Sequence, residues 1–194
     1  MKGEIRLKKQ SFKNTDDAVS RFISLILRHH PEAAHIQIDR HGWADADALI
    51  KGTCAAGRYL TREGLERIVR EDAKRRYSFS PDGTKIRANQ GHSIPVDLEL
   101  LPQIPPDPLY HGTASRFWGS IQQQGLLKMS RQYVHLSSDI KTAISVGERH
   151  GYPLVLRVNT KEMVRDGYLF YLSENGVWLC EHVPAAYLEK EKVF

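Results

Sequence analysis

Apolar residues at Val19, Phe22, Ile23, Ile26 and Leu27 recur with the i, i+3, i+4, i+7, i+8 spacing that places them on one face of a helix. Thr15-Asp16-Asp17 precedes them as an N-terminal cap with acids in the first turn, and Pro31 stops the run. Arg28, His29 and His30 are thereby left on the last turn, with Arg28 and His29 just off the core stripe. Ile36-Gln37-Ile38 predicts a short strand, Asp39-Arg40-His41-Gly42 a turn, and Trp43 a core anchor. A helix is expected over Asp45 to Cys54, broken near Gly57. Thr61 then caps another whose apolar face is Leu65, Ile68 and Val69. Arg76-Tyr77-Ser78-Phe79 and Lys85-Ile86-Arg87-Ala88 flank the turn Pro81-Asp82-Gly83-Thr84 and read as a β-hairpin.

Three helices, a short strand and a hairpin within roughly 75 residues is the element order of a winged-helix domain. From Ile94 to Pro108 the pattern changes to IPVDLELLPQIPPDP, an extended, stiff, acidic connection. The second half reads strand (Leu109 to Thr113), helix, strand (Tyr133 to Ser137), helix, then several strands. Ser115 caps the first of these helices and Gly125 ends it; Asp139 caps the second, which carries Ile140, Ile144 and Val146. Leu154 to Val158 is a buried-type strand, and Ser173-Glu174-Asn175-Gly176 turns a hairpin between Leu169–Leu172 and Val177–Cys180. The expected class is α+β in two lobes: a basic arm over 1–14, a first lobe over 15–94, the connection over 95–108 and a second lobe over 109–194.

With 41% hydrophobic and 26% charged residues in 194, the chain has the composition of a soluble globular protein. It lacks a membrane-length apolar run or a signal peptide, which points to a cytoplasmic protein without membrane association. Cys54 and Cys180 are isolated, arguing for a reducing compartment and against structural zinc. The net charge of +5 is unevenly spread: residues 1–94 hold 18 Lys and Arg against 12 Asp and Glu, residues 95–108 none against three, and residues 109–194 ten against eight. A basic first half suits a polyanion such as nucleic acid, or simply solvates helix faces.

No Rossmann, P-loop, HExxH or GxSxG pattern occurs, and none of the nine histidines has zinc-ligand spacing, so no metal is expected. What remains are basic and hydrogen-bonding residues at the ends of elements. Arg28 and His29 end a helix, where dipole interactions alone would also favour them. Asn89, Gln90, Gly91, His92 and Ser93 follow the hairpin strand that carries Arg87, a run suited to anion capture or to an ordinary polar loop. His111-Gly112-Thr113, His135 with Ser137, and Arg149-His150 complete the set.

The stretches SLILRHHPE, GWADADALI, IRANQGHS, LYHGT, VHLS, GERHG and ENGVWL resemble, in order and spacing, those of the RNA 2′-phosphotransferases of the KptA type, from about Ser20 to about Tyr187. The resemblance implies a winged-helix RNA lobe followed by a lobe like that of the NAD-dependent ADP-ribosyltransferases. It implies an enzyme that removes an internal 2′-phosphate from RNA, of the kind left at tRNA splice junctions, with NAD⁺ as co-substrate. The phosphate attacks the nicotinamide-bearing ribose carbon, giving an RNA-2′-phospho-ADP-ribose intermediate. The ribose 2″-hydroxyl then attacks phosphorus, leaving dephosphorylated RNA and ADP-ribose 1″,2″-cyclic phosphate.

Carried over by position, the family's catalytic set falls on Arg28, His29, Arg87 and Arg149. NAD⁺ contacts fall on His111, Gly112, Thr113, His135, Ser137 and Val177, and RNA phosphate contacts on Asn89, Gln90, His92 and Ser93. ADP-ribosyltransferases commonly place a Glu where this chain has Val177; Glu181 is the nearby carboxylate that could substitute for it. The expected partners are 2′-phosphorylated RNA and NAD⁺, acting on a monomer. A mono-ADP-ribosyltransferase for protein or terminal nucleic-acid phosphates, and a non-enzymatic winged-helix binder, stay open as alternatives.

Overall fold

The helix expected from the Val19–Leu27 stripe is present over residues 16–28 (α1), with Val19, Ile23, Ile26 and Leu27 all buried on one side. The computed structural model describes residues 16–191, so the basic arm and the Thr15 cap lie outside the described residues. The chain forms two units, divided between Leu98 and Glu99. Residues 95–98 of the Pro-rich stretch thus group with the first unit and 99–108 with the second.

In the first unit a 3-10 turn at Pro31–Ala34 follows α1, and β1 (Ala44–Asp45) leads into α2 (Ala46–Ala55). Asp45 caps α2 by accepting the Ala48 N–H at 2.7 Å, and Thr61 caps α3 (Arg62–Glu71) by accepting that of Gly64 at 3.1 Å. The hairpin forms as β2 (Tyr77–Phe79) and β3 (Lys85–Ala88), and β1 adds antiparallel on the other side of β3. Ile86, pointing inward from β3, meets Ile23, Leu27, Leu49 and Leu65 in one core.

Two expectations need correction here. Ile36 to Ile38 is not a strand; it contributes a single bridge, Ile38 to Ala44. The Asp39 carboxylate accepts the N–H groups of His41 and Trp43, at 3.0 Å each, and turns the chain before more pairing forms. Trp43 is half-buried and lies outside the core cluster.

The second unit holds β4 (Leu109–Ala114), α4 (Trp118–Gln124), β5 (Leu126–Leu127), β6 (Val134–Leu136), α5 (Ile140–Gly147), β7 (Pro153–Val158), α6 (Thr160–Arg165), β8 (Tyr171–Leu172), β9 (Trp178–Cys180), β10 (His182–Val183) and β11 (Leu188–Lys190). All strand pairs are antiparallel: β11-β7-β4, β6-β9-β8 and β10-β5. Reciprocal 2.8 Å backbone bonds between Tyr110 and Ser137 tie β4 to β6. Ser115 starts a 3-10 turn without a side-chain cap, while Asp139 caps α5 as expected by accepting the Thr142 N–H at 2.8 Å. The whole described chain is thus a mixed α+β protein with six helices and several small antiparallel sheets. No helix among the described residues is long and apolar enough to cross a membrane.

The buried face of α5 is not the expected one. Ala143 and Gly147 are buried, whereas Ile140, Ile144 and Val146 are half-buried. The reason lies at Gly112 on β4: a Cβ there would stand 1.8 Å from the Ala143 carbonyl oxygen and 3.0 Å from the Gly147 nitrogen. The helix backbone rests directly on the strand, and only small residues permit that approach. Gly112→Ala therefore forces α5 off β4 and is expected to destabilise the protein by roughly 3 kcal/mol, at the upper end of ordinary overpacking costs. A lower urea midpoint at unchanged slope checks it.

Candidate functional site

α1 ends where the β3 exit loop crosses it, and backbone bonds fix the crossing. The Arg28 carbonyl, one of the groups a helix C-terminus leaves over, accepts the N–H of Ser93 at 2.9 Å and of Ile94 at 3.4 Å. His29 Nδ1 and Ser93 Oγ are hydrogen-bonded at 2.9 Å. Gly91, at φ +90°, makes the turn between them; its Cα faces the Arg28 guanidinium, from which a Cβ would lie 3.6 Å. Asn89 is buried and tethers the loop to the chain before β2, its N–H donating to the Arg76 carbonyl at 2.8 Å and its Nδ2 to that of Arg75 at 2.7 Å. Its Oδ1 is buried without a partner. Gln90 is half-buried on the same loop and Ser93 is exposed.

His92 is the buried centre of this arrangement, 1% exposed, and neither ring nitrogen has a hydrogen-bond partner. Burial chiefly, and then the charges of Arg28, His29 and Arg87, push its pKa down to about 4. Every charged group that acts on it is cationic. Arg87 on β3 is half-buried, its Nε is enclosed without a hydrogen bond, and its guanidinium carbon lies 4.4 Å from the centre of the Trp43 ring. No carboxylate is paired with Arg87 among the described residues. The first unit thus brings together Arg28, His29, Arg87, His92 and Ser93 in a cluster of positive charge and hydrogen-bonding groups, suited to a multiply charged anion.

In the second unit the Tyr110–Ser137 bridge sets the register that brings His111 to His135. His111 Nδ1 donates to the His135 carbonyl at 3.0 Å, which leaves Nε2 as an acceptor in the neutral ring. Burial lowers the His111 pKa, with Arg131 and His150 adding to the effect. Arg131 Nη1 donates to His135 Nδ1 at 3.3 Å. Thr113 is buried beside Gly112. Val177 falls opposite Ser137 in the β6–β9 register, which pairs Leu136 with Trp178. Ser173 fixes Val177, its Oγ accepting the Val177 N–H at 3.0 Å and its N–H donating to the Val177 carbonyl at 3.0 Å.

Arg149 lies exposed in the 3-10 turn Glu148–His150 at the end of α5, the turn whose His150 acts on His111. Glu181 is exposed and four residues beyond Val177, about 13 Å along an extended strand, too far to act in its place. The structure adds two residues that sequence reasoning missed. Arg131 sits in an irregular loop with no pattern to signal it. Trp43 faces Arg87 only because of a register between strands 42 residues apart, as Ala44 pairs with Ile86.

His92 makes the first unit sensitive to pH. Because its folded pKa lies below the ordinary 6.5, the unfolded chain binds the proton more readily, and stability falls as pH drops from about 6.5 to about 4. The full loss is about 3 kcal/mol and is absent above pH 7. In His92→Gln this segment of the pH–stability curve should flatten, leaving a pH-independent packing cost, as read by urea unfolding at pH 4.5, 5.5 and 7.5.

Comparison with known proteins covers the stretch that holds these residues. The profile of the family described as RNA 2′-phosphotransferase, Tpt1/KptA, matches residues 14–182. A probable RNA 2′-phosphotransferase of Acaryochloris marina is 54% identical over 170 residues, covering 88% of this chain and 94% of that protein. One from Fusobacterium nucleatum is 51% identical over 177 residues, covering 91% and 99%. Another, from Pseudomonas aeruginosa strain PAO1, is 46% identical over 179 residues, covering 92% and 98%. With a family match across most of its length and relatives near half identity over nine-tenths of it, the chain belongs to the RNA 2′-phosphotransferase (Tpt1/KptA) family.

Proposed function

We propose that this enzyme removes an internal 2′-phosphate from RNA by passing it to NAD⁺, yielding dephosphorylated RNA, nicotinamide and ADP-ribose 1″,2″-cyclic phosphate. The observation that carries the reading is the cluster around His92, where Arg28, His29 and Arg87 all act on a buried ring whose two nitrogens have no hydrogen-bond partner. In this reading the first unit is a winged-helix RNA lobe over 15–94. The second, over 109–194, is an ADP-ribosyltransferase-like lobe, joined to the first through 95–108.

A phosphate monoester near neutral pH approaches a dianion, and two guanidinium forks hold its oxygens while keeping their charge. Arg28 and Arg87 take that role, with Ser93, Asn89 and Gln90 lining the loop beside them. In the second unit, Arg149 is the guanidinium that this reading assigns to charge on phosphoryl oxygens. In the second step the 2″-hydroxyl forms a bond to phosphorus and gives up its proton to solvent as the bond to the RNA 2′-oxygen breaks, and the departing oxygen takes up a proton. His29, held by Ser93 at 2.9 Å, is the general acid that supplies it.

The residues of the second unit fit a dinucleotide. His111 presents an acceptor nitrogen, Thr113 and Ser137 offer hydroxyls, and Val177 keeps negative charge away from an incoming phosphate. Gly112 contributes through α5 packing, since the space a side chain would need is taken by the Ala143 carbonyl.

Incubating the protein with a 2′-phosphorylated oligonucleotide and NAD⁺ should give ADP-ribose cyclic phosphate; a folded protein that yields none, or that stops at a stable ADP-ribosylated product, defeats the proposal. Arg28→Ala and Arg87→Ala should each cut turnover by about 100-fold or more, as loss of a phosphoryl-stabilising cation does. Their melting temperatures should stay near that of the parent. Arg87→Lys should recover little, because an ammonium lacks the fork.

A further inference from the structure

Among the described residues of the first unit three arginines lie over aromatic rings, and one differs from the others. Arg62, over Phe79, also bonds Glu66 and the Gly83 carbonyl; Arg58, over Phe22, also bonds the Ala56 carbonyl. The Arg87 guanidinium lies over the indole of Trp43 and makes no hydrogen bond or ion pair among the described residues. The contact is built into the sheet. Trp43 directly precedes Ala44, which pairs with Ile86, and so stands across from Arg87, whose guanidinium carbon is 4.4 Å from its ring centre. Residues opposed across an antiparallel pair project from the same face.

Trp43 is in turn fixed from behind. Its N–H donates to Asp39 Oδ1 at 3.0 Å, its carbonyl accepts the Asp39 N–H at 2.9 Å, and Lys85, two residues before Arg87 on β3, holds the other Asp39 oxygen at 3.3 Å. Strand, turn and ring form a closed support for one guanidinium plane.

A carboxylate would orient an arginine equally well but would cancel its charge and compete with an arriving phosphate. An aromatic face orients the cation through its quadrupole, keeps the net charge, and leaves the in-plane N–H groups unspent. We propose that Trp43 is a positioning residue for Arg87, holding the guanidinium by its face so that its N–H edge is presented to the RNA 2′-phosphate. The inference rests on the reading that Arg87 holds that phosphate.

The test replaces Trp43 site-specifically with mono-, di- and trifluorotryptophan, which weaken the ring's quadrupole while keeping its shape, alongside Trp43→Phe and Trp43→Leu. Turnover of a 2′-phosphorylated oligonucleotide with NAD⁺ is measured in the full chain. The ratio kcat/KM for RNA should fall stepwise with fluorination. It should fall roughly 10-fold or more in Trp43→Leu and only a few-fold in Trp43→Phe, within the range of a desolvated cation–π contact. KM for NAD⁺ should not move. A flat fluorination series, equal losses in Phe and Leu, or losses that follow melting temperature would overturn the proposal. Should Trp43→Leu fail to fold, the fluorinated series decides alone. If Arg87→Ala itself leaves turnover intact, the reading of Arg87 has failed; if Arg87→Ala is inactive and the fluorinated series is flat, the role of Trp43 has.

Discussion

Like charges gathered in a partly dehydrated pocket repel, and the first unit is organised around tolerating that repulsion. Two unit charges about 4 Å apart near a protein surface oppose each other by roughly 4 kcal/mol. The fold answers in two ways. Main-chain bonds from Ser93 and Ile94 to the Arg28 carbonyl lock the helix end to the β3 exit loop, and their strength does not depend on side-chain charge. His92 answers by titration, giving up its proton in the pocket where Arg28, His29 and Arg87 act on it. A bound dianion reverses both pressures at once, because it attracts what had been repelled and makes a protonated His92 favourable.

Much of this was legible along the chain. The 3.6-residue stripe of α1, the Thr61 cap, and the alternation of Lys85-Ile86-Arg87-Ala88 are local patterns, and each element forms where the pattern sits. Arg28, His29, His92 and Ser93 were singled out as element ends, and the chain brings them together. Trp43 shows where local reading stops. As an aromatic between a turn and a helix it looked like a core anchor. Its stack on Arg87 depends on a register between distant segments that no local periodicity encodes.

The second unit was less readable for physical reasons of its own. Its extra strands β5, β10 and β11 are two or three residues long, too short to show alternation, and β5 finds β10 more than 50 residues away. The six-residue helix α6 depends on the Asn159 cap and on Thr160 donating to Pro106 and Asp107 rather than on an apolar stripe. In α5, hydropathy pointed to Ile140, Ile144 and Val146, but a helix whose backbone must touch a strand buries its smallest residues instead. Hydrophobic periodicity reports side-chain burial and carries no signal for backbone approach.

Histidines are used differently in the two units, and the difference matches the proposed chemistry. Burial, with the charge of Arg131 adding to it, favours the neutral form of His111, and His135 Nδ1 accepts from Arg131, so the second unit offers these rings as hydrogen-bonding groups. Val177 continues that restraint opposite Ser137. A carboxylate there would stabilise positive charge growing on a sugar carbon as nicotinamide leaves, yet it would also repel a phosphate dianion that has to reach that carbon. When the acceptor itself brings two negative charges, it supplies the electrostatic help a carboxylate would give. An apolar residue at 177 is then the better solution, with the cations placed where the phosphate is held.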